Sequence, residues 1–364
     1  MEECNYLPIY SPQPEKYLME KASIASVYLM QSIFDFITEG VAILNGVVGD
    51  YFKEQGSNLA IPMCFYHDKK PLLLTTESIL RAHPKVSSKI CIFIHGLCIT
   101  ERSWEFRKSM GTNYGSLLKE DLGYIPFYLR YNTGLHISEN AKDFLNIMTE
   151  LLKVYPVKVT EIILIGHSQG GLMIRSACHY GEAKNLDWIK LISRTILLGT
   201  PHLGAPFEKF GNALTYVLKR LKIPFLKPLA DFINFRSAAI KDLRYGYTLD
   251  EEWQGRDPDA LWQNHRQITP LLAGASHYIA AASLTKDVSH PICRCLGDIW
   301  VRIPSALCLT QGNSDHPNFL IRDKKIFYGI NHYELARSRE VYRQIKSWCM
   351  GESPLFHDKD GNTD

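Results

Sequence analysis

EIILIGHSQGGLMIRSACHY, residues Glu161–Tyr180, changes character halfway along. Its first five residues, Glu161–Ile165, are mostly β-branched and apolar, which is how a strand buried on both faces reads. Gly171–Tyr180 (GLMIRSACHY) has the composition of a helix. Between the two stands Gly166-His167-Ser168-Gln169-Gly170, a G-x-S-x-G string. In a strand-to-helix elbow of this kind the serine is held in a strained turn and its hydroxyl is pushed into the open. Small residues on either side leave room for neighbouring backbone. The stretch therefore predicts a strand–turn–helix unit that exposes Ser168 Oγ at the end of the strand.

The same texture recurs outward along the chain. Lys89–Ile94, Tyr124–Tyr131, Arg194–Leu198, His277–Leu284 and Lys325–Ile330 read as strands, and Ser138–Val154, Gln169–Tyr180 and Arg337–Cys349 as helices. Apolar strands alternating with helices predict an α/β architecture with a mostly parallel central sheet and flanking helices. Short antiparallel strands at Ile61–Tyr66 and Pro71–Leu74 open it. Between Ala205 and Gly274 the alternation stops, aromatic residues collect, and Pro224 and Pro228 act as breakers. This stretch, 205–274, predicts a mainly helical cap insertion. Residues 1–58 read as an N-terminal helical extension, 59–349 as the main domain, and 350–364 as a polar, flexible tail.

A serine hydroxyl is a poor nucleophile until a base removes its proton, and that base must be oriented by an acid. After such an elbow the expected order is serine, acid, histidine, each on a loop following a strand. His332 follows the last strand and precedes the last helix, which makes it the expected base. Asp287, Asp298 and Asp315 all satisfy the order expected of the acid. Acyl transfer also needs donors for a tetrahedral oxyanion. The Gln169 N–H, just after the nucleophile, and the Leu97 N–H, in the loop after Lys89–Ile94, are the candidates. His95 reads first as a buried, hydrogen-bonded histidine. Together with Thr200 and His202 it is also a candidate for the pocket wall, a turn-stabilising role being equally good for the latter two.

Composition excludes several other classes. The chain sets 41 Lys+Arg against 38 Asp+Glu, a net charge of +3, without the clustered basic excess of a nucleic-acid binder. No phosphate loop of the G-x-x-x-x-G-K-[ST] type occurs. Cys293-x-Cys295 near His290 has neither the usual ligand spacing nor a second cysteine pair, so no metal is expected. Nine cysteines, odd in number and mostly isolated, read as reduced intracellular thiols. Met1–Lys16 lacks the basic region and apolar core of a secretory signal, which predicts a cytoplasmic or otherwise intracellular protein. Ala22–Val48 carries an apolar stripe at helical spacing, broken by Gln31, Asp35, Thr38 and Glu39 before it could span a bilayer. Its first reading is packing on the main domain. Its second, for residues 22–48, is peripheral contact with a membrane.

These residues resemble the lipase and esterase branch of the α/β-hydrolase superfamily. The matching strings are His95-Gly96-Leu97, Gly166–Gly171 (GHSQGG) and Gly199–Pro206 (GTPHLGAP), the last similar to a segment of triacylglycerol lipases and GPI-inositol-deacylase-like hydrolases. Closer still, Arg130–Asn140 (RYNTGLHISEN), Asp242–Gly246 (DLRYG) and Trp253–Asp257 (WQGRD) look like a group of bacterial lipase-like hydrolases; the likeness spans residues 60–349. The resemblance implies Asp298, in Gly297-Asp298-Ile299-Trp300-Val301, as the acid, and His332 as the base. The chain departs from that group at Ile299-Trp300 and Arg302. The implied activity is a serine hydrolase that cleaves carboxylic esters of hydrophobic acyl groups through an acyl-enzyme on Ser168, with no cofactor. An acyltransferase using the same triad is the alternative, followed by a non-catalytic scaffold on the same fold. Product analysis with added alcohols separates the first, and a fluorophosphonate probe the second.

Overall fold

In a computed structural model of the protein, six strands line up in parallel: Lys89–Ile94 (β3), Ile125–Arg130 (β4), Glu161–His167 (β5), Ile192–Leu198 (β6), Ser276–Ser283 (β7) and Ile321–Tyr328 (β8). Cys64–His67 (β1) and Lys70–Pro71 (β2) are antiparallel and join through β1 to β4. The sheet has eight strands in the order β2-β1-β4-β3-β5-β6-β7-β8. The structure describes residues 35–106, 111–205, 236–257, 263–285, 298, 300–308 and 321–351. All but the first two residues of the expected tail and most of the first half of the expected cap, 206–235, lie outside them, as do His290, Cys293 and Cys295.

Helices connect and flank the strands: 35–54 (α1), Thr76–Ala82 (α2), Tyr114–Leu122 (α3), Ile137–Val154 (α4), Gln169–Ala183 (α5), Ala238–Asp242 (α6), Ile303–Ala306 (α7) and Arg339–Met350 (α8). Side chains of a strand alternate between faces. Ile90, Ile92 and Leu164 therefore pack with Phe144 and Met148 of α4, while Phe93, Ile163 and Ile165 pack with Tyr114 of α3 and Trp348 of α8. Both faces are covered, which is why β3 and β5 read as unbroken apolar runs.

Several boundaries differ from the sequence reading; the expected Ile61–Tyr66 and Pro71–Leu74 strands are Cys64–His67 and Lys70–Pro71. Strand β8 begins at Ile321, four residues before the expected Lys325. Arg322, Asp323, Lys324 and Lys325 hide it, because an edge strand with a solvated side tolerates charge. At the other end, the chain divides into two compact units, Met1–Val41 and Ala42–Asp364, so the main unit begins well before residue 59. Asn45 fixes the C-terminal half of α1 there: its amide donates to the Leu59 carbonyl at 2.7 Å and accepts from the Ile61 N–H at 2.9 Å. Of the Ala22–Val48 stripe, residues 22–34 lie outside the described residues. Among the rest, Ala42 is buried, whereas Phe36, Ile37, Ile43 and Leu44 are exposed. Among the described residues, no helix is long and apolar enough to cross a membrane.

Candidate active site

Ser168 directly follows β5 and caps α5 with φ +54° and ψ −124°, a strained left-handed backbone for a residue with a side chain. The turn is held from both sides. The Ser168 N–H donates to the Leu198 carbonyl on β6 at 2.8 Å, and the Ser168 carbonyl accepts from Gly171 at 3.0 Å. The glycine at 170 is a steric necessity, since a Cβ there would stand 2.3 Å from the Ile94 carbonyl oxygen. The end of β3 and the start of α5 thus pass backbone against backbone.

His332 opens the 3-10 turn His332–Ala336 after β8, where Asn331 caps the turn. Its Nδ1 meets Asp298 Oδ2 at 2.6 Å, with both side chains buried. Asp298 Oδ1 also accepts the N–H groups of Trp300 and Val301, at 3.1 and 2.8 Å. A carboxylate engaged in this way fixes the tautomer and orientation of the imidazole and leaves Nε2 for chemistry. Of the three acids allowed by order alone, Asp287 and Asp315 lie outside the described residues.

Ser168 and His332 line one pocket of about 110 Å³. No hydrogen bond joins them directly, as is common in a substrate-free site. Leu97, Ile99, Pro201, Ala205, Leu243 and Val301 make the wall mostly apolar, and Trp300 and Tyr333 lie at the same pocket. Leu97 belongs to the wall, and its N–H has no partner among the described residues. Gln169 is the first residue of α5, so its N–H has no intrahelical acceptor. Its side-chain amide donates to the Thr133 carbonyl at 3.0 Å.

The other three candidates stand outside the pocket wall. His95 is buried, stacks on Tyr131 with ring centres 4.7 Å apart, and is pushed down to about 3 by burial. Thr200 is buried beside Gly171. His202 is buried with Nδ1 3.1 Å from the Arg175 guanidinium; burial first, and that cation second, hold it well below the usual histidine range. Sequence reading missed His167, which lines the pocket, and whose Nε2 donates to the His332 carbonyl at 3.0 Å. Its place inside the G-x-S-x-G string was the only signal. Cys98, a pocket residue with φ +62°, had none.

Residues 84–227 match a family model described as "Putative serine esterase (DUF676)". That span contains the Leu97 loop, Ser168 and the Gly199–Pro206 string, but neither Asp298 nor His332. No curated protein matches the chain. Among solved structures, the lipase BlEst2 of Bacillus licheniformis in its propeptide form is similar at 15% identity and a TM-score of 0.48, over 72% of this chain and 51% of that one. The chain therefore spans about half the length of that relative. The mature form gives 16% and 0.45 over 73% and 94% of the two chains. Naproxen esterase (carboxylesterase NP) of Bacillus subtilis gives 11% and 0.39 over 72% and 83%. The fold assignment rests on the strand order and the elbow rather than on these likenesses. The strand order and the elbow define an α/β fold with a mostly parallel eight-stranded sheet, and residues 84–227, less than half of the chain, are similar to the serine esterase family model.

Proposed function

We propose that the protein hydrolyses carboxylic esters of hydrophobic acyl groups through an acyl-enzyme on Ser168. The observation that supports this most is the buried 2.6 Å contact between Asp298 and His332, at the wall of the pocket that holds Ser168. In the proposed cycle His332 Nε2 takes the Ser168 proton as Oγ attacks the ester carbonyl. Negative charge develops on the carbonyl oxygen, where the Leu97 and Gln169 N–H groups receive it. His332 then protonates the departing alcohol, and the acyl group remains on Ser168. Water, deprotonated by the same imidazole, releases the acid and restores the serine. The apolar wall favours an acyl group over a charged one.

The test is hydrolysis of p-nitrophenyl acyl esters by the full chain and by Ser168→Ala. Loss of at least ~10⁴-fold in kcat is expected, together with fluorophosphonate labelling of the wild type alone. Wild-type turnover in Ser168→Ala would falsify the mechanism.

A further inference from the structure

Three stretches, RYNTGLHISEN, DLRYG and WQGRD, meet at a second pocket, of about 130 Å³. His136 comes from the first, Asp242 and Arg244 from the second, Trp253 and Arg256 from the third. His136 immediately precedes α4, and Asp242 is the last residue of α6. Asp242 is buried and its oxygens stand 3.0 and 3.1 Å from His136 Nδ1, with one of them also accepting the Ile137 N–H at 2.9 Å. The Trp253 ring lies flat on the imidazole, with centroids 3.5 Å apart and planes 8° from parallel. Trp253 is itself anchored, donating from Nε1 to Ser138 Oγ at 2.9 Å.

The imidazole is thus fixed at Nδ1 and covered on one face. Its Nε2 has no partner among the described residues. Burial works against a charged ring, but the Asp242 carboxylate outweighs it and holds the histidine above its ordinary value. The aromatic face of Trp253 favours the same charged form.

The acids of this pocket are already engaged. Asp242 serves His136 and Ile137, and buried Glu252 accepts the N–H groups of Thr248, Leu249 and Gln267. Asp257 is exposed. Against them the wall carries His136, Lys241, Arg244 and Arg256, the last exposed to solvent. Cationic donors from separate elements suit a tetrahedral dianion, which accepts from more directions than a planar carboxylate. The cavity, at about 130 Å³, is several times the room that a single water needs. That accommodates a phosphoryl group with a short ester stub.

We propose that this pocket binds a phosphate monoester or free phosphate, held by His136 Nε2–H and the Arg256 guanidinium. Leu243, between Asp242 and Arg244, lines the Ser168 pocket, and its carbonyl accepts the N–H of Ala205, another residue of that wall, at 2.8 Å. The anion site and the Ser168 pocket thus share the 242–244 segment as a common wall. The binding itself does not depend on the proposed ester chemistry.

The test is calorimetric titration of the full chain with inorganic phosphate and with glycerol 3-phosphate, using glycerol and sodium chloride as controls. Saturable one-site binding is expected, weakened at least tenfold in Arg256→Gln and in His136→Gln, and unchanged in Ser168→Ala. Arg256 is exposed, so its replacement reports on binding even where the His136 variant folds poorly. Tighter binding of glycerol 3-phosphate assigns the site to an esterified phosphate, and equal binding assigns it to the free ion. Absence of saturable binding by both probes, or an affinity unaltered in Arg256→Gln, overturns the proposal.

Discussion

Asp298 makes three contacts that together fix the proposed base: two backbone N–H groups hold its Oδ1, while Oδ2 is left for His332. Asp298→Asn preserves size but puts an amide where the imidazole needs a carboxylate. The expected result is a drop in kcat of about 10⁴-fold with little change in folding, read from steady-state kinetics and thermal unfolding. Near-wild-type turnover would instead move the acid elsewhere, with Asp287→Asn as the next variant to assay. At this scale Ser168 was legible, because its string sits between a readable strand and a readable helix. Order along the chain left three aspartates open, and only the family resemblance singled out Asp298. Order along a chain does not say which carboxylate ends within 2.6 Å of an imidazole 34 residues away.

The elbow between β5 and α5 is where local sequence and tertiary contact agree most closely. Gly170→Ala would place a methyl 2.3 Å from the Ile94 carbonyl oxygen and 2.7 Å from that of His95, both backbone atoms that cannot swing aside. Overpacking of this kind costs about 3 kcal/mol. The measurement is the urea midpoint, and an unchanged midpoint would mean that β3 and α5 can separate freely. A similar close approach fixes α1: a Cβ on Gly49 would stand 1.9 Å from Asn132 Oδ1, and the Asn132 amide donates to the Gly49 carbonyl at 2.7 Å. That contact explains why a boundary drawn from texture at residue 58 fell inside the packed unit. Glycines on a helix look like weak helix formers in sequence. Only their neighbours reveal them as a docking face.

Over the molecule as a whole, buried neutral histidines tie stability to acidity. Burial pushes His83 and His95 from the ordinary 6.5 down to about 3. Burial likewise lowers His167, His202 and His277. The unfolded chain takes up protons near pH 6.5 while the folded chain refuses them. Their contribution is therefore complete above that pH and is lost as pH falls from 6.5 toward 3. Each such histidine adds up to about 1.4 kcal/mol per pH unit to the slope. Denaturant unfolding between pH 8 and pH 5 should show stability falling below pH 6.5. His83 has both ring nitrogens buried without a partner, so His83→Leu should flatten the fall by close to one proton and leave stability at pH 8 equal or higher. A slope identical to wild type would exclude His83 from the acid response.

The sequence by itself determined the mostly parallel sheet, where its apolar strands fall along the chain, and the position of the strained serine. Those features follow from side-chain periodicity and glycine placement within a few residues of one another. Tertiary structure alone brought Asp298 into contact with His332 and His167 into the same pocket. It also decided that RYNTGLHISEN, DLRYG and WQGRD wall a single cavity. Each of these depends on groups distant in the chain meeting within hydrogen-bond reach. Such meetings are set by how the loops at the strand ends converge, which no local pattern encodes.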